Sequence, residues 1–217
     1  MEGTFEVHII TTPENQTNLF AFITDLDKQN SNIIRPRPTC AVAKYGDYPV
    51  QPMVTFWTHG SIDNVNQIVK EIKNSMLERN IPIIRIKIES MAHNKGVPAH
   101  CDGDHYFEFH FKVEIHSTKD WNNVVKLITP FGAHLFYNPY SKTMNPIVTI
   151  RRYTTLDDLE NVYKQIKSVL EEQYNLSPVE KEYSVYDSDV NLDKNWLFED
   201  NPKQFICDVR SEMLFLI

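Results

Sequence analysis

The sequence predicts an α+β protein built from two successive units that share one order of strands and helices. Residues 5–9 read Phe-Glu-Val-His-Ile, and residues 107–111 read Phe-Glu-Phe-His-Phe. Alternate side chains of an extended strand point to opposite faces, so the apolar residues share one face and the Glu and His residues share the other. Residues 54–57 also align with residues 148–151, at an offset of 94 residues. A fixed internal period of this kind indicates duplication of an ancestral unit.

The first unit begins with a strand and a helix. Apolar and polar residues alternate over 5–11, and the Thr12-Pro13-Glu14 run then combines a candidate N-cap, a proline suited to the first helical turn and an acid. The following apolar residues recur at helical spacing. Further strands are predicted over residues 39–45, 53–58 and 81–89, and a second helix is predicted to begin at Ser61.

The second unit repeats this order of elements. Its strands are predicted over residues 106–115, 133–137, 147–153 and 179–186, and its helices begin after Ser117 and Thr155. Strand-helix-strand-strand-helix-strand is the order of the ferredoxin-like fold, an antiparallel sheet with both helices on one face. We therefore expect two tandem ferredoxin-like repeats whose uncovered sheet faces meet, as a pseudo-dimeric α/β barrel or as a sandwich.

These expectations divide the chain into four parts. Residues 1–90 form the first repeat, 91–104 a linker, 105–187 the second repeat and 188–217 a C-terminal tail. The tail is rich in apolar residues, so we expect it to pack on the body of the protein. Charged side chains that face a shared interior need partners or water. A polar site between the two repeats is therefore predicted.

The composition narrows the classes of function. The 217 residues are 41% hydrophobic and 24% charged, with a formal net charge of -7. Nucleic-acid binding usually needs a basic surface, so we expect no nucleic-acid partner. We expect no membrane partner either, because the sequence has no apolar run of membrane-spanning length and no signal-peptide pattern. Three scattered cysteines fit a reducing compartment, which predicts a cytoplasmic protein. The oligomeric state is not predicted.

Three residues of the second unit form the main candidate metal site. Glu108 and His110 share a strand face, and His134 begins the next strand along the chain. One carboxylate and two imidazoles are the ligands of a facial Fe or Zn site with positions left for substrate. The pattern resembles the small ferredoxin-like extradiol dioxygenases that act on DOPA, which carry a His-x-His strand and a later Gly-Pro-His segment. Glu108 stands where that family has a histidine, and His134 occupies the matching later position. The resemblance implies a divalent metal and oxygenase chemistry.

The first unit repeats the same Glu-x-His pattern with Glu6 and His8. Carboxylates and imidazoles can transfer protons as well as bind metal, so the candidate catalytic residues are Glu6, His8, Glu108, His110 and His134. Basic and aromatic residues alternate on the same strand faces, which favours a small anionic ligand. The candidate ligand-binding residues are Lys112, Arg151, Arg85, Lys87 and Trp57.

Two interpretations directed at phosphate stay open. The run Glu108-x-His110-x-Lys112 resembles the Glu-x-Glu-x-Lys pattern of triphosphate-tunnel enzymes, which implies polyphosphate hydrolysis inside a barrel. His59 and His116 each begin a His-x-Ser or His-x-Thr run, which resembles the paired motifs of two-histidine phosphoesterases. Either family implies a phosphoester or phosphoanhydride substrate.

A non-catalytic interaction module is the third alternative. Trp57, Tyr137 and Tyr140 would dock a protein partner if they were exposed, and the fold alone does not decide between binder and enzyme. Residues 106–110 and 182–188 also resemble segments of a widespread uncharacterised family, which implies no particular activity. The acids at 187–193 imitate the start of an EF-hand loop, but Leu192 stands at the required glycine, so we predict a turn with capping acids.

Overall fold

Eight antiparallel strands close into a barrel in the computed structural model, which describes residues 1–29, 32–44, 46–143 and 145–193, without the side chains of 27–29. The strands are β1 (Glu2–Ile10), β2 (Ile34–Ala43), β3 (Val50–Ser61), β4 (Arg85–Met91), β5 (Tyr106–Lys112), β6 (His134–Tyr137), β7 (Ile147–Arg152) and β8 (Glu180–Asp187). The helices are α1 (Gln16–Gln29), α2 (Ile62–Glu78), α3 (Thr118–Ile128) and α4 (Leu156–Glu171). The protein is therefore α+β, as predicted.

The order of strands around the barrel is β1-β3-β2-β6-β7-β5-β8-β4. Each half of the chain contributes four neighbouring strands, and the halves meet at two antiparallel seams. The β4–β8 seam extends from Lys87 to Met91 on the β4 side, whereas the β2–β6 seam pairs only Val42 and Ala43 with β6. The two predicted sheets thus form one closed barrel rather than a sandwich, and each strand has a neighbour on both sides.

Apolar residues on the outer face of the barrel pack against the helices. In the first half the core includes Phe5, Val7 and Ile9 of β1 together with residues of α1 and α2. In the second half Phe107 and Phe109 of β5 pack with residues of α3 and α4. The alternation of each strand therefore directs its polar residues into the barrel.

The helix starts follow from their capping residues. Ser61 accepts a hydrogen bond from the Asn64 N–H and forms a capping box. Ser117 and Thr155 cap α3 and α4 by accepting from the N–H groups of Asp120 and Asp158. The predicted cap at Thr12 is different. Residues Pro13–Asn15 form a 3-10 turn and Thr12 makes no side-chain cap, so α1 begins only at Gln16.

The second strand is longer than predicted. It begins at Ile34 rather than at residue 39, and its pairing with β3 shifts register between Ile34 and Arg37. Arg35, inside this irregular stretch, has a left-handed backbone with φ of 51°. Proline at 36 keeps the preceding residue out of the right-handed helical region, so the stretch bulges and then continues the strand.

Only the first residues of the predicted tail are described. Val190–Asp193 forms a 3-10 turn, and Leu192 packs against Ile10, Ala41 and Met53 at one end of the barrel. The other apolar residues of the tail, from Trp196 onward, lie outside the described residues. No helix within the described ranges has the length and apolarity needed to span a membrane.

Candidate functional site

The barrel encloses a cavity of about 820 Å³ whose wall is built from the inward-facing residues of the strands. All ten residues that the sequence predicts as catalytic or ligand-binding line this one cavity: Glu6, His8, Trp57, Arg85, Lys87, Glu108, His110, Lys112, His134 and Arg151. They converge because their strands alternate in phase, so each strand turns its polar residues to the same side.

The same three-residue contact occurs in both halves of the barrel. The Nδ1 atom of His8 lies 2.8 Å from the Thr55 hydroxyl, and its Nε2 lies 3.1 Å from a Glu89 oxygen. In the second half, His110 Nδ1 lies 2.7 Å from the hydroxyl of Thr149 and Nε2 lies 3.3 Å from Glu182. A threonine therefore orients each imidazole, and a carboxylate faces its other nitrogen.

Three buried cations are each shared between carboxylates. Arg85 contacts Asp187 at 2.6 Å and Asp193 at 2.8 Å, and Arg151 contacts Glu108 at 3.0 Å and Asp193 at 2.7 Å. Lys87 contacts Glu89 at 2.7 Å and also contacts Glu108. Burial alone would lower the pKa of Lys87, but Glu108 and Glu89 raise it well above its ordinary value. All three side chains are therefore charged.

Carboxylates outnumber these cations inside the barrel. Among the described residues, six carboxylates share the interior with Arg85, Lys87, Arg151 and the His110 imidazole; they are Glu6, Glu89, Glu108, Glu182, Asp187 and Asp193. A surplus of buried negative charge is costly unless protons or a bound cation offset it. The surplus is concentrated at Glu6 and Glu182, whose strongest cation contacts are the half-exposed Arg37 at 3.6 Å and the imidazole of His110.

The pKa shifts follow this distribution of charge. Burial, followed by the nearby Glu182 and Glu89, raises the pKa of Glu6 well above its ordinary value. Burial and Glu89 likewise raise the pKa of Glu182. Burial alone would also raise the pKa of Glu108, but Arg151 and Lys87 hold it well below its ordinary value. Burial alone would lower the pKa of His110, but its contacts with Glu108 and Glu182 raise it well above its ordinary value. Glu108 is thus paired with Arg151 and Lys87, whereas Glu182 is paired with the His110 imidazole alone among the described residues.

One group of potential metal ligands converges in the described part of the chain. Oxygen atoms of Glu89 and Glu182 and a nitrogen of His110 all lie within 4.8 Å of one another. The ligand set predicted from the sequence was Glu108, His110 and His134. It shares His110 with the observed group, but the ligand atoms of these three residues do not converge in this way. The reason is strand order, since β7 separates β5 from β6 whereas β8 lies directly beside β5. Lys87 and Arg151 also occupy the Glu108 carboxylate.

Exposed basic residues line the mouth of the cavity. They are Arg35, Arg37, Lys112 and Lys142. The Arg37 guanidinium lies over the Trp57 ring, 4.3 Å from its centroid. The mouth lies at the Lys112 end of β5. Its rim is positively charged, whereas the interior of the cavity is acidic.

The other end of the barrel is closed by the turn that carries Asp193. Besides its two arginine partners, the Asp193 carboxylate accepts a hydrogen bond of 3.1 Å from the Gln51 amide. The predicted capping acids are present, since Asp187 accepts from the Asp189 N–H and Asp189 accepts from the Asn191 N–H. Asp187 and Asp193 additionally neutralise Arg85, a role that the sequence pattern does not reveal.

The buried position of Asp193 predicts a pH-dependent contribution to stability. Burial alone would raise the pKa of Asp193, but Arg85 and Arg151 lower it to about 2 from an ordinary 3.8. A lowered folded-state pKa stabilises the protein above the unfolded value, and this stabilisation is lost as the pH falls toward 2. We expect Asp193→Asn to lower the free energy of unfolding by about 2 kcal/mol at pH 7 and by much less near pH 2.

Urea unfolding of both proteins at several pH values measures this difference. Asp104→Asn, in the exposed linker, is the matched control and should change stability by no more than about 0.5 kcal/mol. A difference between wild type and Asp193→Asn that is the same at pH 7 and pH 2 would contradict the assignment.

Of the side chains behind the alternative hypotheses, His59, His116 and Tyr137 lie away from the cavity, whereas Tyr140 lines it. His59 and His116 are both exposed and do not line it, so the two-histidine motif is not assembled there. Tyr137 is buried and packs edge-on to Trp121, with ring centroids 6.2 Å apart. Tyr140 packs edge-on to Phe20 at 5.1 Å. These two tyrosines therefore do not form the exposed aromatic surface that the interaction-module hypothesis requires.

Sequence reasoning left Glu182 without a role, although a signal for it was present. Glu180 and Glu182 alternate along β8 as Lys87 and Glu89 do along β4, at an offset of 93 residues. Glu89, Thr55 and Thr149 also line the cavity. Extending the internal repeat to the last strand of each unit would have identified the Glu89 and Glu182 pair.

In the described part of the chain, the fold and the site together define an eight-stranded antiparallel α+β barrel with four outer helices and a charged interior cavity. No protein-family model matches the chain, and no curated protein matches it. Among solved structures, a putative monooxygenase from Fusobacterium nucleatum aligns with a TM-score of 0.35 and 8% identity, covering 88% of this chain and 95% of that one. A mutant chlorite dismutase from Candidatus Nitrospira defluvii in complex with cyanide aligns with a TM-score of 0.33 and 11% identity, covering 90% and 94%. Similarity this low shows nothing about activity, and it gives no support to the resemblance to extradiol dioxygenases.

Proposed function

We propose that the barrel is a metal-dependent active site that binds one divalent cation at Glu89, His110 and Glu182 and acts on a small anionic molecule. The observation that carries the proposal is the convergence of these three ligand atoms within 4.8 Å at the wall of the cavity. Among the described residues, Oε1 of Glu182 and both carboxylate oxygens of Glu89 are buried without a hydrogen-bond partner, although Glu89 is ion-paired with Lys87 and His8. A buried acceptor of this kind is costly unless a cation or another donor approaches it.

The donor set suits a first-row divalent metal. Two carboxylates and one imidazole bind Fe²⁺, Mn²⁺ or Zn²⁺, and three protein ligands leave coordination positions for a substrate and water. A bound metal would supply Lewis acidity and would hold the anion against the wall. His8 faces the same cavity with its ring oriented by Thr55, so it is the proposed proton-transfer group.

The cationic mouth supports an anionic substrate. Arg35, Arg37, Lys112 and Lys142 are exposed at the opening, and a charged cleft raises the local concentration of ions of the opposite sign. Deeper in the cavity the buried cations are already bound to carboxylates. The basic residues of the mouth would attract the anion, and a cation held by Glu89, His110 and Glu182 would supply the positive charge that binds it inside the cavity.

Metal uptake tests the proposal and separates the two possible ligand sets. We expect untagged wild-type protein to bind one Mn²⁺ per chain in isothermal titration calorimetry. His110→Ala and Glu182→Gln should each weaken binding roughly 100-fold or more, because each removes a direct ligand. His134→Ala is the matched control, since His134 lines the same cavity outside the group of three.

Two results would contradict the proposal. Wild-type protein that takes up no Mn²⁺, Fe²⁺ or Zn²⁺ would remove the metal site altogether. A loss with His134→Ala equal to that with His110→Ala would restore Glu108, His110 and His134 as the ligand set.

Phosphate-bearing compounds are the second candidate substrates. The hypothesis of a triphosphate-tunnel activity is favoured by the combination of a closed barrel, charged inner walls and basic residues at the mouth. We expect inorganic phosphate to bind in the presence of Mn²⁺ and to bind more weakly as the salt concentration rises. Arg37→Ala and Lys112→Ala should each weaken phosphate binding about 2- to 5-fold.

Arg79→Ala is the control for phosphate binding, because Arg79 is an exposed arginine that pairs with Asp25 outside the cavity. Release of phosphate from inorganic triphosphate by the Mn²⁺-loaded protein would select this activity. Phosphate affinity that is unchanged by both mouth variants would instead rule out the mouth as the route of the anion.

We infer that residues 1–90 and 105–187 are two ferredoxin-like repeats of one ancestral unit, joined by the linker 91–104. The inference is supported by the equivalent contacts of His8 and His110 with a threonine and a glutamate of their own half. We also propose the cytoplasm as the compartment, since Cys40 and Cys101 are free thiols.

A further inference from the structure

The Glu-x-His run of each half pairs with two inward-facing residues on the last strand of that half, and three of these four positions carry the same residue type in both halves. On the first-half pair β1 and β4, Glu6 lies opposite Glu89 and His8 lies opposite Lys87. On the second-half pair β5 and β8, Glu108 lies opposite Glu182 and His110 lies opposite Glu180. Lysine at position 87 thus corresponds to glutamate at position 180.

The Lys87 ammonium has a defined task in the first half. It lies between Glu89, on its own strand, and Glu108, from the other half, and it contacts both carboxylates. The side chain is buried, so the ammonium is held by these charges rather than by water. Lys87 is therefore a resident cation between one glutamate of each half.

The matching pair in the second half is Glu182 and Glu6, and no ammonium reaches it from position 180. Both carboxylates are buried. Among the described residues, the ion-pair partner of Glu6 is the half-exposed Arg37 at 3.6 Å. Glu182 contacts the His110 imidazole at 3.3 Å through Oε2, while its Oε1 has no hydrogen-bond partner in the same part of the chain. Burial is the main reason that the pKa of Glu6 is raised, and the nearby Glu182 and Glu89 raise it further.

We infer that the divalent cation takes, between Glu182 and Glu6, the place that the Lys87 ammonium takes between Glu89 and Glu108. The inference rests on the proposed metal site and adds Glu6 to it as a fourth charged residue. Glu6 lies outside the group of three whose ligand atoms are within 4.8 Å of one another, so its part is to neutralise the cation from the β1 side. The cavity then holds a single metal ion, because the Lys87 ammonium already occupies the equivalent position between Glu89 and Glu108.

A lysine at position 180 should place its own ammonium between Glu182 and Glu6. We expect Glu180→Lys to weaken Mn²⁺ binding at least 10-fold, although it removes none of the proposed ligands. It should also raise the Tm of the metal-free protein by about 2–4 °C, because the new ammonium neutralises Glu182 and Glu6. Glu180 is exposed, so the substitution removes no buried packing.

Glu180→Gln is the matched control, since it removes the same negative charge without supplying an ammonium. Its Mn²⁺ affinity should stay within about 3-fold of wild type, the range of one exposed charge. Glu6→Gln should weaken Mn²⁺ binding about 10-fold while raising the metal-free Tm, as expected for a carboxylate that repels its neighbours until a cation binds.

The outcomes separate this inference from the proposed function. Wild-type protein that binds no Mn²⁺ overturns both. Wild-type protein that binds Mn²⁺ while Glu180→Lys binds it equally well overturns the inference alone. Loss of Mn²⁺ binding in Glu180→Lys together with a metal-free Tm below that of Glu180→Gln also overturns it, because the lysine would then disrupt the site rather than fill it.

Discussion

Arg85→Met is expected to lower the free energy of unfolding by about 3–5 kcal/mol at pH 7. The guanidinium is 3% exposed and is bound by Asp187 and Asp193 on either side. Methionine keeps much of the volume and removes the charge, so two carboxylates lose a shared partner in a buried site. Equilibrium unfolding in urea, with comparison of the slopes to verify the same transition, measures the change.

Arg79→Met provides the matched control for the same change of residue type. Arg79 pairs with Asp25 at 2.7 Å, but both side chains are more than 40% exposed, so the loss should be about 0.5 kcal/mol. Adding Asp193→Asn to Arg85→Met should recover part of the lost stability, because it removes one of the stranded charges. Equal losses for Arg85→Met and Arg79→Met would show that the closed end of the barrel is not held by this ion pair.

Phe109→Ala should lower the free energy of unfolding by about 3–5 kcal/mol, as expected for removal of a fully buried aromatic ring. The ring lies on the outer face of β5, 5.9 Å from the centroid of Tyr163 on α4, and the Lys181 ammonium lies 5.3 Å from it. Its loss leaves a cavity between the barrel and the helix that the surrounding side chains fill only partly.

Lys112→Ala on the same strand is the control, since Lys112 is exposed at the mouth. It should change stability by no more than about 0.5 kcal/mol in the same urea experiment. If Phe109→Ala and Lys112→Ala lowered the free energy of unfolding by similar amounts, the division of β5 into a helix-facing side and a cavity-facing side would be wrong.

The alternation along the strands was sufficient to predict which side chains share the cavity. Glu6, His8, Glu108 and His110 were expected to look into one interior, and they do, because a period of two allows each strand only two faces. The helix caps at Ser61, Ser117 and Thr155 were equally local and equally predictable.

Features that depend on the spatial order of strands could not be predicted in this way. His134 follows Glu108 and His110 along the chain, but β6 is separated from β5 by β7, whereas Glu182 lies on the adjacent β8. Asp193 contacts Arg85 and Arg151, which are distant in the sequence. Even the nearer of the two, Arg151, is more than 40 residues away, so no local pattern predicts the contact. One sequence predicts which side chains share a face of a strand, but it does not predict which strands are neighbours in the barrel.

The unequal seams between the halves have a consequence for how molecules exchange with the interior. Only two residue pairs of β2 and β6 hold one side of the wall, whereas β4 and β8 are paired over a longer stretch. Opening fluctuations cost least where the fewest backbone hydrogen bonds must break. The β2–β6 seam should therefore open more often than the β4–β8 seam, which stays paired. A solute too large for the mouth would enter or leave the cavity while the β2–β6 seam is open.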